Sequence, residues 1–313
     1  MPNEERLRNM KEPILVTRGL CKTYGGATVV DHVDLHIEKG QIYGLVGKNG
    51  AGKTTLMRMV TSQTMPTSGE IELFGATEER ALSRMRTRIG AMVETPSFYP
   101  FLTAVQNLEY YRIQRGIPGK ECVAEALELV ELSHTKNKKF KNFSLGMKQR
   151  LGLALAIMSR PDFLLLDEPI NGLDPMGIVE FRDILLKLNA ERRVTILISS
   201  HILSELSNLA THYGFIDGGR MLQQISAEQI QERCRECLEL TVGDTAKAAV
   251  ALEKGLSCRD FEILPENRIR VYAFLGEPGR VTQVLTDAGV SISSINTHGT
   301  NLEEYFLGLL KNA

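Results

Sequence analysis

A chain of 313 residues is long enough to bury a large core and, on length alone, to hold two domains. Its 37 basic and 38 acidic residues leave a net charge of −1, which removes any electrostatic case for nucleic acid or an anionic membrane surface as the main ligand. The longest apolar runs, among them Phe163 to Leu166 and Val194 to Ile198, fall far short of the roughly 20 residues needed to cross a bilayer.

The opening MPNEERLRNMKEP is charged and lacks the apolar core of a signal peptide, so the protein is expected to stay in the cytosol. Ile14 to Thr17 and Asp31 to Glu38 alternate apolar and polar positions, and Gln41 to Val46 is a buried run that ends at a glycine-rich loop. A helix follows from Gly52, then a short glycine-bounded strand, Gly69 to Gly75. From about 77 to 160 the pattern turns helical, clearest over Asn107 to Gln114, Glu121 to Leu132 and Leu151 to Ser159. Alternation of strand and helix resumes with strand Phe163 to Leu166, helix Met176 to Leu188, strand Thr195 to Ser199, helix Ile202 to Ala210 and strand Gly214 to Asp217.

After about Leu222 the order becomes strand, helix, two strands, helix and strand, which suggests a small ferredoxin-like α+β domain over 223–313. An amphipathic helix from Asn301 to Leu310 ends it. Five cysteines, at 21, 122, 234, 237 and 258, suit a reducing compartment. Cys234 and Cys237 form a CxxC with no second ligand pair nearby, and are read as helical neighbours without a metal. The sequon at Asn142 is discounted for want of a secretory route.

Gly47-Lys-Asn49-Gly50-Ala51-Gly52-Lys53-Thr54, followed by Thr55, fits the phosphate-loop pattern and sits between strand and helix, the context that pattern needs. Glycines let successive N–H groups turn around phosphate oxygens, the helix N-terminus adds positive potential, and Lys53 brings a full charge to the β- and γ-phosphates. Thr54 is the expected hydroxyl ligand of Mg²⁺. The apolar strand Phe163 to Leu166 runs into Asp167 and Glu168, placing carboxylates at a sheet edge where ligands bind. Asp167 is assigned to Mg²⁺ through water, and Glu168 to activating the water that attacks the γ-phosphate.

Asn142-Phe-Ser144-Leu145-Gly146-Met147-Lys-Gln-Arg150 resembles the signature sequence of ATP-binding-cassette (ABC) proteins. That resemblance implies a P-loop cassette of mixed sheet core and helical subdomain (about 95–160) within residues 1–222. It also implies that Ser144 and Gly146 meet the γ-phosphate bound by a second copy, so that two chains enclose two ATP. Leu145 and Met147 depart from the usual glycine and glutamine. Asn171-Gly-Leu-Asp174 resembles the family's dimer-contact loop, His201 its switch histidine, and Tyr24 the aromatic residue that stacks on adenine. Where the family usually carries a glutamine that touches Mg²⁺ and the attacking water, this chain has Glu94, assigned to the metal and the catalytic set.

Together with Asp167-Glu-Pro-Ile-Asn-Gly-Leu-Asp-Pro175 and the tail Asn301-Leu-Glu-Glu-Tyr-Phe-Leu307, these motifs resemble the branch that exports bacitracin or protects lantibiotic producers. The resemblance implies an ATP-hydrolysing subunit that powers export through separate membrane permease subunits, peripheral on the inner face of the membrane. Pro96 to Phe101 is the expected docking surface. The competing reading, a soluble cassette ATPase of translation or DNA repair, would usually bring a second cassette or a long coiled coil, and neither is present.

Overall fold

The computed structural model describes residues 12–93, 97–135, 137–299 and 302–312. The chain divides into two compact units that meet at Ala227 and Glu228, and each has its own buried cluster.

In the first unit, β1 (Pro13–Tyr24), β2 (Ala27–Glu38) and β4 (Ser68–Leu73) form an antiparallel sheet in the order β2-β1-β4. A second sheet runs β5-β6-β7-β3-β8-β9. Its members are β3 (Ile42–Val46), β5 (Ile89–Met92), β6 (Phe163–Asp167), β7 (Thr195–Ser200), β8 (His212–Asp217) and β9 (Arg220–Ser226). The strands from β5 to β8 pair in parallel, and β9 is antiparallel to β8. Every residue of β3 and β7 is buried, as expected of strands covered on both faces, which is why they read as unbroken apolar runs.

Helix α1 (Lys53–Val60) buries Leu56, Met57, Met59 and Val60. These join Leu15, Leu35 and Leu73 of the antiparallel sheet and Leu165 and Leu197 of the parallel sheet in one core. After α2 (Glu79–Arg86), α3 (Ala104–Gln114), α4 (Glu121–Leu129) and α5 (Leu145–Ile157) make the helical insertion. Thr103 and Gln106 form a capping box at the start of α3. Asn107, fully buried, accepts from Tyr99 N and donates to Tyr99 O, Leu102 O and Thr103 O, so a core amide fixes the turn before the helix.

Helix α6 (Pro175–Arg192) starts at the cap Asp174 with Pro175 in its first turn. Two elements differ from expectation. Helix α7 is only Leu203–Leu206; beyond it the Leu209 N–H closes a tighter three-residue turn on Leu206 O at 3.0 Å, and Tyr213 Oη donates to the same carbonyl at 3.1 Å as the chain enters β8. Strand β9 continues the sheet beyond β8. Its Gln223-Gln224 pair breaks the apolar alternation that marks a strand, yet Gln224 accepts from Tyr43 Oη and His36 N and donates to Asp34 O, tying β9 to β2 and β3.

In the second unit, β10 (Cys237–Val242), β11 (Phe261–Leu264), β12 (Arg268–Val271) and β13 (Ile292–His298) form an antiparallel sheet in the order β11-β12-β10-β13. With α9 (Thr245–Leu256) and α10 (Pro278–Asp287) between strands this is the βαββαβ arrangement. Helix α11 (Leu302–Asn312) follows, and the Asn301 start expected for it lies outside the described residues. Cys234 follows α8 (Ala227–Arg233) and Cys237 opens β10, so the two are not helical neighbours as their spacing suggested.

Candidate functional site

β3 lies between β7 and β8 and ends at Val46, so the loop Gly47 to Gly52 leaves from the carboxyl edge of the parallel sheet. Two glycines there are obligatory. A Cβ at Gly47 would lie 2.3 Å from Ile216 O, and Gly52 combines φ +103 with only 2.8 Å from such an atom to Val29 O. Asn49 and Gly50 are exposed at the tip, Ala51 is buried, and Thr55 is half-buried in the first turn of α1. No side chain caps α1, which leaves its first N–H groups and the positive end of its dipole open to an anion.

Lys53 is 4% exposed. Its Nζ donates to Gly47 O at 2.6 Å and Lys48 O at 3.1 Å, and stands 3.2 Å from Glu168 Oε1. Three partners take all three ammonium protons, which holds the charge at the mouth of the loop. Thr54 Oγ1 donates to Asp167 Oδ2 at 2.6 Å. A hydroxyl and a carboxylate this close are hard oxygen donors of the kind Mg²⁺ takes.

Glu168 sits at φ +45, in the left-handed region that a residue with a Cβ enters at a cost of order 1 kcal/mol. Besides Lys53, its carboxylate meets His201 Nδ1 at 2.9 Å and Asn171 Nδ2 at 3.4 Å. A carboxylate only accepts, so Nδ1 carries the proton in that pair. Thus Lys53, Thr54, Asp167, Glu168 and His201, from three separate segments, converge on one sheet edge. Ser199 also belongs to the cluster and sequence reasoning passed over it: its Oγ is 2.6 Å from Asp167 Oδ1. The available signal was a polar residue at the end of an otherwise apolar buried strand.

Ser144 caps α5, its Oγ accepting from Met147 N at 3.3 Å. Leu145 is exposed, and a Cβ on Gly172 would come 3.1 Å from its Cδ2, so the signature loop packs on the Asn171–Asp174 loop. Met147 Sδ accepts from Lys138 Nζ, and Arg150 bridges Glu131 at 3.2 Å and Glu180. The cleft here, about 740 Å³, includes Ser144, Gly146 and Asp174. Ser144 and Gly146 share this cleft with the Gly172–Gly177 segment, and none of Lys53, Asp167 and Glu168 lines it.

Tyr24 is exposed, with Thr64 Oγ1 3.1 Å from its hydroxyl and Lys22 Nζ 4.8 Å from the ring centre. Glu94 lies outside the described residues, as does Pro96. Phe98 is 7% exposed and packs on Tyr111 and Phe140, so it is a core residue and not part of a docking face. One further group of donor atoms, from Cys21, Asp31 and His32, lies within 4.8 Å. Both Asp31 oxygens are already engaged, by His32 Nδ1 and Arg220 Nε, and the thiol accepts His32 N–H, so the group is a satisfied surface network. Those two bonds hold the Asp31 carboxyl below its usual pKa, His32 contributing most.

A phosphate loop at a parallel sheet edge, two strand-end carboxylates and a helical insertion carrying a capped signature define a nucleotide-binding cassette. Comparison with known proteins makes the class specific. Residues 30–171 match the family model described as ABC transporter. The bacitracin transport ATP-binding protein BcrA of Bacillus licheniformis is 42% identical, over 95% of this chain and 97% of its own. The lantibiotic transport ATP-binding protein SrtF of Streptococcus pyogenes is 41% identical over 67% of this chain and 89% of its own. Among solved structures, CbiO1 of Clostridium perfringens, part of the ABC transporter complex CbiONQ, covers 71% of the chain with a TM-score of 0.64 and 25% identity, and 92% of its own length. The dimeric cassette MJ0796 bound to ADP and Pi shares the fold, with a TM-score of 0.62 over 68% of this chain and 98% of its own.

The chain belongs to the ATP-binding proteins of ABC transporters, a family that hydrolyses ATP as a component of transporters. Among the described residues no helix is long and apolar enough to cross a membrane.

Proposed function

We propose that two copies of residues 1–222 close around two Mg·ATP, that hydrolysis reopens them, and that this stroke drives export of an antimicrobial peptide or related amphipathic compound through separate permease subunits. The substrate class rests on the likeness to BcrA and SrtF. The hydrolytic role rests on one observation, the convergence of Lys53, Glu168 and His201 beside the Thr54–Asp167 pair.

In this reading Lys53 exchanges its contact with Glu168 for the β- and γ-phosphates, which releases the Glu168 carboxylate to accept a proton from the attacking water. His201, held through Nδ1, orients that carboxylate and faces the γ-phosphate. Thr54 and, through water, Asp167 would hold Mg²⁺, which would supply positive charge to the phosphate oxygens. Tyr24 stacks on adenine, and the Gly47–Thr55 backbone holds the phosphates. Ser144 and Gly146 of the second copy complete the pocket from the opposite side. Glu94 is assigned a metal-proximal role on its position in the sequence.

The exposed apolar side chains of Tyr99, Phe101, Val105, Tyr110 and Ile113 on the helical insertion support docking of a permease there, with the complex peripheral on the inner face of the membrane. The test is to purify Glu168→Gln with ATP from membranes and identify what copurifies. Recovery of integral membrane proteins of a transporter is expected; recovery of ribosomes or DNA would overturn the reading.

A further inference from the structure

Ser199 is fully buried near the end of β7 and pairs with Asp167 across the parallel sheet. Its hydroxyl makes two bonds of opposite sense. Oγ donates to Asp167 Oδ1 at 2.6 Å and accepts the Glu168 N–H at 2.9 Å. A hydroxyl has a single proton, so accepting from the Glu168 amide leaves that proton directed at Asp167. The other Asp167 oxygen is taken by Thr54, and the carboxylate is therefore clamped on both sides.

The amide bond matters because Glu168 occupies the left-handed region, which L residues disfavour unless the surroundings hold them there. Around Glu168 the backbone is held by the bond to Ser199 and by Asn171 N donating to Glu168 O at 3.3 Å. The neighbouring Ser200 does something else: its Oγ accepts from Ile202 N at 2.9 Å and lies 2.7 Å from Glu205 Oε2, to which its one proton is directed, with Ile202 O at 3.0 Å, closing the turn after the strand. Of the two serines, only Ser199 contacts the carboxylate pair.

We propose that Ser199 is a positioning residue for ATP hydrolysis, one hydroxyl fixing both the metal-side carboxylate of Asp167 and the backbone turn that aims Glu168. The proposal rests on the roles given above to those two acids. It predicts an effect on turnover and on the Mg²⁺ requirement rather than on nucleotide affinity, since the two bonds of the Ser199 hydroxyl go to Asp167 and the Glu168 amide.

The experiment compares the full-length chain with Ser199→Ala, Ser199→Thr, Ser199→Cys and Glu168→Gln. It measures steady-state hydrolysis against ATP and against Mg²⁺, with ATP affinity by fluorescence titration. Ser199→Ala is expected to lower kcat about 10- to 100-fold, the range of losing hydrogen bonds to charged and strained partners. Its ATP affinity should stay within about 2-fold of the parent, with half-saturating Mg²⁺ raised several-fold. Ser199→Thr, which restores the hydroxyl, should recover turnover to within about 3-fold, and Ser199→Cys, a weak donor, should fall between the two and serve if the alanine variant does not fold. Parental kcat and Mg²⁺ dependence in Ser199→Ala, or equal losses in the threonine and alanine variants, would overturn the proposal. Parental turnover in Glu168→Gln would instead sink the reading of Glu168 as base, leaving the Mg²⁺ arm to judge the clamp on Asp167.

Discussion

The two units of the chain are built from similar material and differ in where their polar residues stand. In the first, buried strands end in groups that converge: β3 delivers the glycine loop, β6 delivers Asp167 and Glu168, and β7 delivers Ser199 and His201. In the second, strand polar residues pair with one another on the sheet, as Glu239 does with Arg268 and Arg270, and Arg235 pairs with Asp260 just outside the strands. Charge that is satisfied locally holds a sheet together and leaves little to offer a ligand. Polar residues gathered from several strand ends do the reverse, and chemistry follows them.

That contrast breaks first at Glu168. Glu168→Gln should cut ATP turnover by roughly 10²- to 10⁴-fold, the usual worth of a general base, while ATP still binds and the dimer becomes long-lived. Phosphate release assays and light scattering with ATP check both halves. Retained turnover would mean that the converging acids are structural, like those of the second unit.

Next come two aromatic residues three positions apart. Phe98 is buried against Tyr111 and Phe140, so Phe98→Glu places a charge in the insertion's core and should lower stability by about 3 kcal/mol or more. Phe101 is 67% exposed, and Phe101→Glu should leave stability within about 0.5 kcal/mol. Urea midpoints separate the two. Loss of transport with Phe101→Glu in the assembled complex, at unchanged midpoint, would support the docking face.

Leu285→Ala sharpens the comparison from the other side. Leu285 is fully buried in the second unit's separate cluster, and the truncation should cost that unit about 2–5 kcal/mol. An early unfolding transition with ATP binding intact is the expected melt, whereas a single transition shifted as a whole would mean that the units unfold together.

What was readable in advance follows the same division. The glycine loop, the acidic strand end and the signature were legible because each needs particular residue types in fixed order, and buried parallel strands advertise themselves as apolar runs. The βαββαβ order was legible from periodicity too, but no residue there marks a ligand. Strand β9 was not, since its Gln224 serves lateral bonds to β2 and β3 that no local pattern encodes. Ser199 was hidden for a related reason: its importance lies in the β6–β7 register, which sets it opposite Asp167. Phe98 misled because an aromatic and proline-rich stretch looks alike whether it faces solvent or Tyr111.

A smaller effect is expected at Ser144. Its hydroxyl caps α5, and Ser144→Ala should cost about 1 kcal/mol locally. If Ser144 also meets the γ-phosphate of a second copy, turnover must fall further than that cost implies, and the loss must not be recovered by raising protein concentration. A loss that concentration does recover would make the residue a cap that merely aids assembly.

The smallest effect is chemical and reports on the second unit alone. Cys237 is 3% exposed at the start of β10, and burial is the main cause that raises its thiol pKa, with Glu239 and Glu262 adding to the shift and Arg270 opposing it. The reactive species is the thiolate, so a raised pKa keeps the group protonated and slow at neutral pH, and reactivity should climb only as pH passes the ordinary thiol range of about 8.5. Iodoacetamide should therefore modify the half-buried Cys122 of the first unit about tenfold faster than Cys237 at pH 7.5, followed by mass spectrometry of single peptides. Rates that converge in Leu285→Ala would show that alkylation reads opening of the second unit. Equal rates in the parent protein would mean that this unit opens readily on its own and that burial at the start of β10 does not protect the thiol.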